Sequence, residues 1–390
     1  MTDKHPILVL TEMFPPIRGG TSTWFDQVYP LLGEREIHII ARAVEQSGSV
    51  DAHHANTIHR INMARIPWLR PESLALYIRM IVKGIGILFK NDFKVIHAGR
   101  VLPEGLVGVV LARLFNKPLV IYAHGEEITV WRQHANKFKA LVKTFQKADC
   151  IIANSNFTRD LLLNVVGVDA SRIELISPGV NPEEFRPGLP CDDLRDSLGL
   201  TKQKKLILSI GRLTRRKGFD RVIESLPFLI EKGVDPHYAV IGPGEDRDYL
   251  LALAKEKGVA DRFHLLGNVP QADMPRWMNA TDLFVMANRK TSDLDAEGFG
   301  IVFIEAAACG KPAIAGDHGG TGDAVIHNET GLRINGNDLN TVQQSLLSLL
   351  TDDALIQRLS NNGLQRARAE LTWSEIAKKT ALLNQKLDLS

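Results

Sequence analysis

The chain has 390 residues, more than one ordinary hydrophobic core accommodates, so two domains are expected. It is 44% hydrophobic and 24% charged, the balance of a soluble globular protein, and its net charge of +2 argues against a bulk nucleic-acid binder. The three cysteines, Cys150, Cys191 and Cys309, are too few and too scattered for a disulfide framework or a zinc site, which fits a reducing cytoplasm.

The chain opens with one short apolar run, Ile7–Leu10, and then a Pro15-Pro16 turn. That pattern reads as a strand and not as a signal peptide. The turn continues into Arg18, Gly19 and Gly20, and paired glycines let backbone N–H groups approach a ligand closely. The G-x-G-x-x-G spacing of a dinucleotide fold is missing, which counts against a dehydrogenase.

Further strands are expected at Ile37–Ile40, Val95–His97, Leu119–Tyr122, Cys150–Ala153 and Glu174–Ile176. Residues 60–94 carry seven basic and two acidic groups, with Trp68, Leu74, Tyr77 and Ile81 among them. The most apolar stretch, Leu74–Phe89, is interrupted by Arg79 and Lys83 and falls short of the roughly 18 uncharged residues of a membrane span. After Leu119–Tyr122 comes Ala123-His124-Gly125-Glu126-Glu127. A histidine at a strand end can donate to a sugar hydroxyl or a phosphate, or shuttle a proton, or be purely structural. Residues 132–147 carry five basic groups and no acidic one. There Phe138, Leu141, Val142 and Phe145 fall at helical spacing among Lys137, Lys139, Lys143 and Lys147. A basic amphipathic helix of this kind either lies on an anionic membrane or packs one face on a sheet.

A proline- and charge-rich stretch at Pro187–Leu200 breaks the pattern, and the strand–helix alternation then restarts. Strands are expected at Leu206–Ile210, Tyr238–Ile241, Phe263–Leu266, Leu283–Met286 and Pro312–Ala315. Continuous apolar strands separated by helices imply parallel sheets covered on both faces, hence an α/β protein of two Rossmann-like domains. The boundaries predicted are 1–187, 188–371 and a terminal helix, 372–390, packing back toward the first domain.

The second series carries the sharper chemistry. Directly after Leu206–Ile210 stands Gly211-Arg212-Leu213-Thr214-Arg215-Arg216-Lys217-Gly218. Ligands of open α/β sheets bind at the carboxyl ends of strands, and there Arg212 and Lys217 can grip a diphosphate, one as a fork and one as a point charge. The segment Glu297-Gly298-Phe299-Gly300-Ile301, continuing through the apolar run to Glu305, reads as a glycine turn opening into a short helix. A helix start offers unpaired N–H groups and a positive dipole end to a diphosphate. Glu297 in the turn and Glu305 in the helix body are placed to accept hydrogen bonds from sugar and ribose hydroxyls, unless Glu305 is simply solvated. Asp293-Leu294-Asp295 has metal-motif spacing but leads into Glu297 and reads as loop, so no metal site is expected.

In this order, Gly19-Gly20, His124-Gly125, Ser177-Pro178-Gly179-Val180, Gly211-Arg212 with Lys217-Gly218, Gly242-Pro243-Gly244, Gly267-Asn268-Val269 and Glu297-x7-Glu305 resemble glycosyltransferase family 4. These are retaining enzymes of the GT-B fold, with two Rossmann-like domains facing each other across a cleft. Bacterial mannosyltransferases of the phosphatidylinositol mannoside and lipid-linked glycan type look most similar. The resemblance implies a hexosyltransferase whose second domain binds the nucleotide sugar, with GDP-mannose favoured, and whose first binds a lipid-linked or cell-envelope glycan. Carried over residue by residue, it implies that Arg212 and Lys217 hold the diphosphate and that Glu305 binds the ribose. Glu297 is expected beside the donor sugar, backbone around Val269 at the base, and His124 at the transferred sugar, with Gly19 and Gly20 closing on the phosphates. No metal or other cofactor is implied, because Arg212, Lys217 and the helix start at Gly300 already supply positive charge. Gly319-Gly320-Thr321-Gly322-Asp323 departs from the family, which often has a glutamate after the paired glycines, and this bears on donor preference. The expected location is the cytoplasm, peripheral on the inner face of the plasma membrane. The alternatives are a soluble transferase using a UDP-sugar and a small sugar or sugar phosphate, and a GT-B epimerase or inactive sugar-nucleotide-binding subunit.

Overall fold

A computed structural model describes residues 6–69, 72–201, 203–291 and 296–388. By its internal contacts the chain divides into two compact units, Met1–Pro178 with Trp373–Ser390, and Gly179–Thr372.

The first unit is built on seven strands: β1 (Ile7–Thr11), β2 (His38–Arg42), β3 (Thr57–Ile61), β4 (Val95–Ala98), β5 (Leu119–Ala123), β6 (Cys150–Ala153) and β7 (Ile173–Leu175). Their spatial order is β3-β2-β1-β4-β5-β6-β7, and every neighbouring pair is parallel. The second unit holds β8 (Lys205–Ile210), β9 (Pro236–Ile241), β10 (Phe263–Gly267), β11 (Leu283–Met286), β12 (Ala313–Gly316) and β13 (Leu332–Ile334). The order β10-β9-β8-β11-β12-β13 repeats the same winding, and again all pairs are parallel. Helices cover both faces of each sheet, so strands such as β1 and β11 are buried along their whole length. That is why they read as unbroken apolar runs. Each sheet has its topological switch point where the first strand lies beside the fourth, between β1 and β4 and between β8 and β11. The carboxyl ends there are where such folds place a ligand.

Two strands were not expected from the sequence. β3 is an edge strand, and all five of its residues are only half-buried, so Thr57, His59 and Arg60 dilute the apolar signal. β13 is three residues long. The contact boundary also lies earlier than the expected break at 187. Val180 N–H donates to Leu371 O at 2.7 Å, and this ties the stretch after Pro178 to the end of the second unit.

The terminal helix Trp373–Asp388 belongs to the first unit. Buried His97 on β4 donates from Nε2 to Asn384 Oδ1 at 2.9 Å, which leaves Nδ1 to accept from the Tyr29 hydroxyl at 2.7 Å. Burial pushes His97 down to about 4, so the ring is neutral, as this bonding requires. Trp373 is buried, with its ring centroid 6.3 Å from that of Trp24.

Candidate active site

At the switch point of the second unit, β8 ends at Ile210 and the basic loop begins. Arg215–Lys217 form a single tight turn, and Gly218 leads into the helix Phe219–Glu231. Gly218 has φ +72°, and a Cβ there would sit 2.1 Å from Ala287 O. Only glycine allows this turn to press against the end of β11. The contact carries Lys217 to the loop after β11.

Lys217 Nζ forms a short ion pair with Glu297 Oε2. Arg216 Nη1 lies 3.6 Å from the same oxygen and donates to Ala296 O at 3.3 Å. Asn288 Nδ2 also donates to Oε2, at 3.1 Å. Two hydrogen-bond donors and a further cation thus converge on one carboxylate oxygen, while Oε1 has no hydrogen bond among the described residues. Burial alone would raise the Glu297 carboxyl, but Lys217 and then Arg216 outweigh it and hold it below its ordinary value. The group is therefore an anion with one oxygen fixed and the other available to accept. Behind it, buried Asp220 and Arg289 pair at 2.6 Å, and Arg289 N–H donates to Arg216 O at 2.8 Å. This network fixes the basic turn from below.

The four basic groups of the loop divide their work. Arg215 stacks on Tyr249, 3.2 Å from the ring centroid, and pairs with Asp246 at 3.2 Å. Arg216 and Lys217 hold Glu297. Arg212 is exposed and has no ion-pair partner among the described residues, so its guanidinium is free for a ligand.

After Glu297 the chain runs through Gly298 and buried Phe299 to Gly300, which has φ +94°. The helix Ile301–Ala308 starts there without a side-chain cap. Its first N–H groups have no intrahelical acceptor and carry the positive end of the helix dipole. Glu305 is half-buried in this helix. Its apolar surroundings, and then the neighbouring carboxylate of Glu184, push it up to about 8. Val269 is buried just beyond β10.

Gly19, Gly20 and His124 lie in the first unit. Gly19 precedes the helix Gly20–Leu32 at the end of the loop from β1, and His124 follows β5. His124 Nε2 donates to Gly99 O at 2.9 Å, and its backbone N–H donates to Glu127 Oε1 at 2.8 Å. Burial, and next Arg100, pushes the ring down to about 4. With Nε2–H donating to Gly99 O and the ring neutral, Nδ1 is left as an acceptor. Among the described residues no cluster of three or more His, Cys, Asp or Glu side chains could hold a metal. Asp293-Leu294-Asp295 lies outside the described residues.

Two family models cover most of the chain: "Glycosyltransferase Family 4" matches residues 18–184 and "Glycosyl transferases group 1" matches residues 191–366. A D-inositol 3-phosphate glycosyltransferase of Catenulispora acidiphila is 31% identical over 305 residues, 73% of this chain and 70% of that protein. The chain belongs to glycosyltransferase family 4. This family 4 enzyme is a hexosyltransferase. It is also 28% identical over 350 residues, 89% of each chain, to a GDP-mannose-dependent alpha-(1-6)-phosphatidylinositol monomannoside mannosyltransferase of Mycolicibacterium smegmatis. Among solved structures, Anabaena HepE in complex with UDP and glucose superimposes with a TM-score of 0.81 at 19% identity, covering 98% of this chain and 99% of that one. That likeness establishes the GT-B glycosyltransferase fold.

Of the residues expected from the sequence, the structure joins Lys217 directly to Glu297. Arg216 and Asn288 were missed. Arg216 sits in a basic run where spacing does not say which side chain turns inward, and Asn288 is a single polar residue at a strand end with no motif around it.

Proposed function

We propose that this family 4 glycosyltransferase moves mannose from GDP-mannose to a lipid-linked or cell-envelope glycan acceptor, with retention of the anomeric configuration and without a metal. The observation that carries the reading is the Glu297 clamp beside an uncapped helix start. A carboxylate with Oε2 held by Lys217, Arg216 and Asn288 keeps Oε1 free for donor-sugar hydroxyls. The N–H groups at Gly300 and Ile301, with Arg212 and Lys217, match the charge that builds on a departing diphosphate. The acceptor hydroxyl attacks on the leaving-group face, and a diphosphate oxygen takes its proton. His124 Nδ1 accepts from a hydroxyl of the transferred sugar. Glu305 takes the ribose and backbone at Val269 the base, while Gly19 and Gly20 serve the phosphates. The donor choice is supported by the naming of the mycolicibacterial relative as GDP-mannose-dependent, and the inner face of the plasma membrane follows from the lipid-linked acceptor. A smaller acceptor, a phosphorylated polyol, is the second reading, favoured by the 31% identical relative named for D-inositol 3-phosphate.

Thermal-shift titration with GDP, UDP, GDP-mannose and UDP-glucose in the presence of a chelator tests the donor, because a ligand of the folded state raises its melting temperature by mass action. GDP and GDP-mannose are expected to stabilise the protein and the uridine nucleotides to have little effect. Stabilisation by UDP-glucose alone, or only after a divalent cation is added, would overturn the proposal.

A further inference from the structure

The helix Leu74–Leu88 has two apolar faces. One, with Leu76, Met80, Gly84, Ile87 and Leu88, is buried in the first unit. The other is exposed: Leu74, Ile78 and Val82 recur every four residues at 38%, 53% and 63% exposure, Phe89 directly after the helix is at 78%, and Trp68, six residues before it in the chain, is also at 78%. Eleven large apolar side chains are exposed among the described residues, and these are five of them. A helix that only packs on its own sheet needs a single apolar stripe. A cation stands next to each of three outward residues: Arg79 beside Ile78, Lys83 beside Val82 and Lys90 beside Phe89. Neither lysine has a hydrogen-bond or ion-pair partner among the described residues. The three cations line a groove of about 830 Å3 between this helix and β3, and no carboxylate lines it.

We infer that this outward face is the surface by which the enzyme docks on a bilayer of anionic lipids. The inference rests on the lipid-linked acceptor proposed above and names the contact surface. The apolar stripe is about 22 Å long from Leu74 to Phe89 and lies along the helix axis, suited to sinking sideways into the boundary of headgroups and acyl chains. Lysine and arginine stems reach from such a stripe to lipid phosphates, and aromatic side chains near its ends suit the interface. The basic helix Ala135–Phe145 does not compete for this role. Its Leu141 and Phe145 are buried and its Phe138 and Val142 pack against the core, so it presents lysines without an apolar face.

Flotation with phosphatidylcholine vesicles, with and without phosphatidylglycerol, tests the surface. The wild type is expected to float with the anionic vesicles only and to be released by salt. Ile78→Glu/Val82→Glu, at exposed sites that leave the core intact, is expected to lose binding by at least about tenfold, while Lys139→Glu/Lys143→Glu keeps most of it. Melting temperature and donor stabilisation are read in parallel and are expected not to change, so a failure here is separable from failure of the donor assignment. Absence of flotation by the wild type, undiminished flotation of Ile78→Glu/Val82→Glu, loss confined to the Lys139 and Lys143 variant, or concentration-dependent self-association through this face in place of flotation would overturn the inference.

Discussion

Asn288 shows how a residue with no sequence signature can set the chemistry of one that has it. Its amide donates to Glu297 Oε2 at 3.1 Å and is 2% exposed. Hydrogen bonds to a charged group are worth about 1.5–3 kcal/mol, so Asn288→Ala is expected to lower kcat by about tenfold or more. KM for the donor should move much less, because the lost contact orients a carboxylate and does not bind diphosphate; steady-state kinetics at varied donor concentration separates the two. Glu305 makes a prediction of the opposite electrostatic kind. Its carboxyl is pushed up to about 8 from an ordinary value of 4.5, so between these values the folded protein holds a proton that the unfolded chain has released. Stability from this site therefore falls as pH rises across that window. Glu305→Gln removes the dependence: the variant is expected to match the wild type near pH 4.5 and to be more stable above about pH 8, as urea denaturation at the two pH values will report. The sequence marked Glu297, Lys217 and Glu305 because the glycine turn and the basic loop are contiguous patterns. It could not mark Asn288 or the Asp220–Arg289 pair, which matter only through contacts between residues distant in the chain.

Elements were legible in proportion to their burial. β1, β5 and β11 are covered on both faces, and their unbroken apolar runs announce them. β3 is a half-buried edge strand with a histidine and an arginine in its middle, and it left no such trace. Amphipathicity was legible for the helix Ala135–Phe145, but its destination was not: the same spacing serves a membrane or a core, and here it serves the core. Tyr77 and Ile81 likewise pack inward, and the neighbouring Ile78 and Val82 face out. The loop after β12 shows an element acting through its backbone. Gly319 has φ +78°, a Cβ there would lie 2.3 Å from Glu297 O, and Gly320 N–H donates to that oxygen at 2.7 Å. The paired glycines thus brace the backbone of the Glu297 turn. Gly319→Ala is expected to cost more than about 1 kcal/mol of stability and to lower turnover as well, which denaturation and kinetics on the same preparation will show. The departure at Gly322 and Asp323 stands beyond this brace.

At the scale of the molecule, the repeated winding of the two sheets was readable as a restart of the strand–helix alternation, and it places a ligand-binding edge at each switch point. The boundary and the fate of the last helix depend on hydrogen bonds between remote residues, Val180 with Leu371 and His97 with Asn384. The second unit carries Arg212, Lys217, Glu297, the helix start and Glu305 within one fold, and in the function proposed above it is this unit that supplies the charge for departure of a nucleotide diphosphate. The most direct measurement is the rate of sugar transfer or hydrolysis from GDP-mannose, in a chelator, by the wild type, Lys217→Ala and Glu297→Gln, with melting temperatures recorded alongside. A chelator-resistant wild-type rate is expected, with a fall of at least about a hundredfold in each variant and the fold retained. Near wild-type turnover by either variant would contradict the proposed function.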